Sequence, residues 1–205
     1  MEKQNQVSNS THYNRYPRIF KQVKEHAGTN NSVILSFGCS DGSETRCLRD
    51  LYFPDSIIYG TDIDEKLLEQ NRQNNNDKKI FFCSPLELRK QENLKFDIVF
   101  AMSVLCRFPD PEGQYTIANF NETLEQLDSL LKVGGWIVIY NASYKFEDSS
   151  VFSKYASFAT TFTRGFVPLR DAMWQQKVQK GELSLSNMTD EKDRLPFFFY
   201  QKLRE

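Results

Sequence analysis

The run Gly38-Cys39-Ser40-Asp41-Gly42-Ser43-Glu44 is the part of this sequence whose residue types and spacing suggest chemistry. It follows the apolar stretch Val33-Ile-Leu-Ser-Phe37 and leads into a helix-forming segment. A glycine turn at such a strand-to-helix junction lets a ligand approach bare backbone. Three chemistries compete for it. As a nucleophile elbow, Gly38-Cys-Ser40-Asp-Gly42 matches G-x-S-x-G with Ser40 as the nucleophile. That arrangement needs a histidine later in the chain, and both histidines, His12 and His26, precede Ser40. As a dinucleotide fingerprint, G-x-G-x-x-G starts at Gly38 but puts Ser40 and Ser43 where glycines are needed. As a site for S-adenosylmethionine (SAM), which has no diphosphate to cradle, a shorter glycine pattern suffices. The ribose hydroxyls of SAM want a carboxylate at the end of the next strand, because an ionised carboxylate accepts two hydrogen bonds from adjacent OH groups. Asp62 stands there, 20 residues past Gly42. Dinucleotide folds share this pairing, so it does not decide alone. The plain alternative for Asp62 is a helix cap, although Asp64 is better placed for that.

Composition narrows the rest. Cys39, Cys47, Cys83 and Cys106 form no CxxC pair, so no metal site is expected, and the cysteines read as free, mostly buried thiols. Lys and Arg number 26 against 27 Asp and Glu, a net charge of −1, and they form no stripe. Nucleic acid is therefore not favoured as a partner. No apolar run reaches the ~18 residues of a membrane span, so no membrane partner is expected. The start, MEKQNQVSNS, lacks the apolar core of a secretory signal, and a cytoplasmic location is the working expectation. Nothing in the sequence sets the oligomeric state. A length of 205 residues suits one domain, 1–205, with a full core.

Those residues must be positioned by regular elements. Residues 1–10 are polar and read as frayed or disordered. Apolar residues at Tyr16, Ile19, Phe20 and Val23 predict a helix between Tyr13 and His26. Strands are predicted at Val33–Phe37, Ser56–Thr61, Lys79–Cys83, Phe96–Ala101, Trp136–Tyr140 and Leu195–Tyr200. Helices are predicted from Glu44 to Leu51, after an Asp64 N-cap, and along the stripe Ile117, Phe120, Leu124, Leu127 and Leu131. Lys132-Val-Gly-Gly135 reads as a glycine C-cap for that last helix. Alternating strands and helices predict an α/β fold: a doubly wound, mostly parallel, Rossmann-like sheet covered on both faces. The stretch 145–190 lacks periodicity and reads as a lid or insertion.

From Val33 onward the chain resembles the class I SAM-dependent methyltransferases. The resemblance rests on Val33-Ile-Leu-Ser-Phe-Gly-Cys-Ser-Asp-Gly42, Ile58-Tyr-Gly-Thr-Asp-Ile-Asp64, Phe96-Asp-Ile-Val-Phe100 and Leu130-Leu-Lys-Val-Gly-Gly-Trp-Ile-Val-Ile139. It covers about 33–140, and the last strand would then be antiparallel, as in that family. Ser36 departs from it, since many members carry an acid there. The implied activity is SAM-dependent methyl transfer; the alternative is a SAM-binding regulator or partner-dependent subunit without catalysis. Within the class, Thr11-His-Tyr-Asn-Arg15 and Cys39-Ser-Asp-Gly-Ser-Glu44 are most similar to chemotaxis-receptor glutamate methyltransferases. That resemblance implies Arg15 on the cofactor carboxylate and Glu44 on its amino group. Ser103 and Arg107 stand where those enzymes have asparagine and tyrosine, and their helical N-terminal domain has no counterpart. The resemblance further implies that Gly38, Cys39, Ser40, Gly42, Asp62, Ile63, Ser84, Pro85, Met102 and Ser103 form the cofactor site.

The sequence assigns no catalytic residue and does not choose among O, N, S or C as the methylated atom. No Asn/Asp-Pro-Pro-aromatic run follows the fourth strand, where Ala101-Met-Ser-Val stands instead. A small-molecule acceptor is expected in preference to a protein one. It would enter beneath 145–190, whose aromatics Phe152, Tyr155, Phe158, Phe162, Phe166 and Trp174 could close a pocket. Tyr144 and Phe166 are the expected acceptor contacts.

Overall fold

The computed structural model describes residues 9–27, 30–107, 110, 112–159 and 198–205. Pro17–Ala27 forms α1, with Pro17 at its first position, where a missing N–H is harmless. The helix therefore begins later than the apolar spacing predicts, and Tyr13–Tyr16 belong to an irregular strap before it. Val33–Phe37 is β1, Ser43–Cys47 is α2, and a π-helical turn at Leu48–Tyr52 continues it. Ile57–Thr61 is β2 and Glu65–Gln73 is α3, capped by the Asp64 side chain on Lys66 N and Leu67 N. Ile80–Cys83 is β3, and Pro85–Arg89 is a short α4 with a Ser84/Glu87 capping box. Phe96–Met102 is β4, Ile117–Leu130 is α5 and Leu131–Tyr140 is β5. Tyr155–Ala159 and Phe198–Lys202 are β6 and β7.

The described strands form one sheet in the order β3-β2-β1-β4-β5-β7-β6. Pairings from β3 to β5 are parallel, and β7 runs antiparallel between β5 and β6. The predicted α/β fold class is thus observed. β4 lies in the middle of the sheet, and its side chains alternate between two cores. Ile98, Phe100 and Met102 join Ile19, Phe20 and Val23 of α1 on one face. Val99 and Ala101 join Phe120, Leu124 and Leu127 of α5 on the other. Strand order reverses between β1 and β4, and open α/β sheets bind ligands outside the carboxyl ends at that point.

Three expectations change. The helix α5 stops at Leu130, with Leu131 already extended and paired with Phe96. Gly134 (φ 84°) and Gly135 lie inside β5, where the register to β4 shifts between Phe96 and Ile98. A side chain on Gly135 would meet the Lys132 and Asp97 carbonyls, so these glycines make a bulge instead of a cap. Residues 146–159 are not a lid. Phe146 packs on Tyr155 and Tyr200, and 155–159 add the edge strand β6, on which Tyr155 is buried. Phe162, Phe166 and Trp174 lie outside the described residues, as does the side chain of Phe158. The four cysteines are buried, and none is in a disulfide.

Candidate cofactor site

The carboxyl end of β1 turns sharply at Gly38. Its N–H and that of Cys39 both donate to the Thr61 carbonyl at the end of β2, at 2.8 and 2.9 Å. This pins the two strand ends together. Gly38 has φ 75°, and a Cβ there would stand 2.4 Å from Val104 Cγ2, so no other residue fits. Ser40 also takes a left-handed conformation, φ 50°, and is held by its neighbours. Its N–H donates to Asp62 Oδ2 at 2.8 Å and its hydroxyl to the Asn9 carbonyl at 2.8 Å.

Asp62 closes β2. Its second oxygen, Oδ1, accepts from Asp64 N at 3.0 Å. Each carboxylate oxygen thus has one protein donor and keeps lone-pair capacity, which suits a vicinal diol. Asp62 is not a helix cap; Asp64 is.

Glu44, on the first turn of α2, faces the same cleft from below. Ser36 Oγ donates to its Oε1 at 2.8 Å. Ser36 on β1, where an acid was looked for, therefore serves the acid of the next helix. Burial pushes the Glu44 carboxyl up to about 7, against the opposing pull of the Ser36 hydrogen bond and the Arg15 charge. No cation stands within ion-pair distance of it among the described residues. Arg15 reaches the cleft from the strap, with Nη1 donating to the Ser10 carbonyl at 2.7 Å. Its guanidinium lies 5.1 Å from the centre of the Tyr16 ring.

The cleft between these groups has a volume of about 310 Å3. It brings together ten of the expected residues: Arg15, Gly38, Cys39, Ser40, Glu44, Asp62, Ile63, Pro85, Met102 and Ser103. Gly42 and Ser84 stand just outside it. Gly42 is the N-cap position of α2, with φ 76°, and Ser84 spends its side chain capping α4. Tyr144 is not in the cleft. The Ser143 N–H bonds the Leu105 carbonyl, and Tyr144 then packs on Tyr115 and Phe120, its hydroxyl donating to the Tyr115 carbonyl. Phe166 lies outside the described residues.

Sequence reasoning missed the strap itself. Asn9, Ser10, Thr11 and Tyr16 line the cleft, although 1–10 reads as frayed. Asn14, at φ 56°, anchors the strap by accepting from Tyr52 Oη at 2.8 Å. Tyr16 Oη and Ser103 Oγ share a hydrogen bond of 2.8 Å, and Asn141 Nδ2 donates to Ser103 Oγ at 3.2 Å. Burial pushes the Tyr16 hydroxyl up to about 12, so it stays protonated at neutral pH. Ser103 and Asn141 follow β4 and β5 directly, and both have positive φ. A carboxylate and a guanidinium on two walls can hold a zwitterion, and the neutral Tyr16, Ser103 and Asn141 groups can orient a further polar molecule.

The family model for the methyltransferase domain matches residues 35–137, half of the chain. No curated protein matches it. Among solved structures, the chain is similar to a putative rRNA-methylase from Clostridium thermocellum. The identity is 14% over 96% of this chain and 99% of that one, with a TM-score of 0.54. It is also similar to the plantazolicin methyltransferase BpumL in complex with a monoazolic desmethylPZN analog and SAH, at 15% identity over 91% of this chain and 82% of that one, TM-score 0.55. PKMT2 from Rickettsia typhi is 18% identical over 71% of this chain, with a TM-score of 0.44; the chain spans only 26% of that protein's length. At these identities the likeness is one of fold. The family match is different in kind, because it runs through the turn, the β2 acid and the end of β4 that build the cleft. The chain belongs to the methyltransferase domain family.

Proposed function

We propose that this methyltransferase holds SAM in the cleft at the ends of β1, β2 and β4 and methylates a small-molecule acceptor. The observation that carries the reading is the pairing of Glu44 and Arg15 in one cleft with Asp62. Glu44 suits the amino group of the cofactor, Arg15 its carboxylate and Asp62 its ribose hydroxyls. The strap from Asn9 to Tyr16 would keep water from the site. SAM supplies a methyl group activated by its sulfonium, which a nucleophile displaces in line.

This chain's part is therefore positioning and exclusion of water. The acceptor would be oriented by Tyr16, Ser103 and Asn141, whose hydroxyls and amide are neutral. Such a trio offers no carboxylate or imidazole base, which favours an acceptor that reaches the site with a lone pair already free. The likeness to receptor-glutamate methyltransferases supports the Arg15 and Glu44 roles only. Arg107, where those enzymes have tyrosine, hydrogen-bonds Gln114 and neighbours Asp110 in its own loop.

The test is transfer of label from methyl-labelled SAM to a small-molecule fraction and a protein fraction of a cell extract. Label in small molecules, lowered by Asn141→Ala with SAM affinity unchanged, supports the reading. Label confined to protein would overturn the choice of acceptor.

A further inference from the structure

The glycine turn is held from beneath by a residue that does not line the cleft. Asn71, on α3, is 3% exposed. Its Nδ2 donates to the Ser40 carbonyl at 2.8 Å, and its Oδ1 accepts from Arg46 Nη2 at 3.1 Å. Arg46 Nη1 in turn donates to the Asp41 carbonyl at 2.8 Å, and its guanidinium lies 5.7 Å from the Phe82 ring centre. Asn71 and Arg46 thus grip two successive carbonyls of the turn. The fit is tight, since a Cβ on Gly42 would come within 2.7 Å of Asn71 Oδ1.

Ser40 is the hub of this arrangement. It is a serine in a left-handed conformation, which costs energy for a residue with a Cβ. Its carbonyl is fixed by Asn71, its N–H by Asp62 Oδ2 and its hydroxyl by the strap at Asn9. The Asn71 amide therefore decides where the Ser40 N–H points. That N–H commits one oxygen of Asp62, while Asp64 N commits the other.

We infer that Asn71 is a positioning residue which, through Ser40, fixes the Asp62 carboxylate and so sets the preference of the cleft for an intact ribose 2′,3′-diol. The inference rests on the reading of Asp62 as the ribose acid. Without the Asn71 donor, the Ser40 carbonyl keeps only the weak Cys39 Sγ contact at 4.0 Å, and the turn relaxes toward the right-handed region. The Ser40 N–H then leaves Asp62, and the carboxylate turns away from the diol.

Asn71→Asp keeps the size of the side chain and an oxygen for Arg46, and it replaces the donor with an acceptor. The probes are S-adenosylhomocysteine (SAH) and its 2′,3′-dideoxy analogue, titrated calorimetrically into the full chain, with thermal melting to confirm folding. The wild type is expected to prefer SAH at least tenfold. Asn71→Asp should weaken SAH about tenfold and change the 2′,3′-dideoxy analogue less than twofold. In an Asp62→Ala background the same substitution should change neither ligand. Should Asn71→Asp fail to fold, Asn71→Ser, too short to reach Ser40, is read by the same comparison. Equal weakening of both ligands means Asn71 only supports the fold, and unchanged SAH binding removes its role; either result overturns the inference. A wild type that binds neither ligand would instead remove the cofactor reading on which the inference rests.

Discussion

The Glu44 carboxyl makes SAH binding pH-dependent, and the sign follows from its surroundings. Burial raises it to about 7, so the unliganded protein carries it largely protonated at pH 5. A ligand ammonium prefers the ionised form. Binding must then first remove a proton below pH 7, and affinity falls as pH falls. Two units below its pKa, roughly one carboxyl in a hundred is ionised, which sets an upper bound of ~100-fold between pH 7.5 and pH 5. Glu44 lines the cleft and keeps part of its surface. Solvent reached through the cleft softens the effect, and a ten- to hundredfold drop is expected. The assay is calorimetric titration with SAH across pH 5–8 in buffers of different ionisation enthalpy, which counts the protons released. Glu44→Gln should bind weakly and lose this slope. A wild-type affinity flat across that range, or a slope that survives in Glu44→Gln, would refute the reasoning. The linkage to folding runs the other way. With the folded value above the ordinary 4.5, the unliganded protein is most favoured below about pH 4.5 in this one respect. It loses that contribution as pH rises toward 7.

Asp62→Ala should weaken SAM binding by ~1.5–3 kcal/mol, the range for hydrogen bonds to a charged group, as read by calorimetry. Gly38→Ala should lower SAH affinity at least tenfold, because its Cβ would meet Val104 at 2.4 Å in a backbone that alanine resists; equilibrium dialysis checks this. Lys202→Met should cost roughly 3 kcal/mol in urea unfolding with little change in SAH affinity. Lys202 is fully buried, donates to the Asp128 and Leu131 carbonyls, and lies 3.3 Å from Asp128 Oδ1, with none of these groups lining the cleft. Burial works against the Asp128 charge, but hydrogen bonds from Lys154, Tyr155 and Lys202 outweigh it and hold its carboxyl below the usual range. Its stabilisation is therefore present above about pH 4 and lost on further acidification, which acid unfolding of wild type and Lys202→Met would compare.

What the sequence made legible was local. Val33–Phe37 is a compact apolar run before a glycine turn, so strand, turn and switch point follow from patterning. Asp62 was legible because a ribose diol wants a carboxylate at the end of the second strand, and Glu44 because the turn Cys39–Glu44 resembles that of the receptor-glutamate methyltransferases. The strap was not, since residues 1–10 read as frayed and Tyr13–Tyr16 as the start of a helix, while its order comes from contacts far along the chain: Ser40, Tyr52 and Ser103. Asn71 was hidden for the same reason, an amide whose partner lies 31 residues away. The bulge at Gly134–Gly135 mimicked a helix C-cap, because both need a residue at positive φ. The aromatics Phe152 and Tyr155 suggested a lid, and the choice between lid and sheet edge depended on β7, which only the fold brings beside them.

The most direct test of the central claim is calorimetric titration of SAM and of SAH into the full chain at pH 7.5. The strap, the glycine turn, Glu44 and Asp62 predict saturable binding of both, one ligand per chain, each weakened by Asp62→Ala and by Arg15→Ala. A folded chain that binds neither would contradict the account.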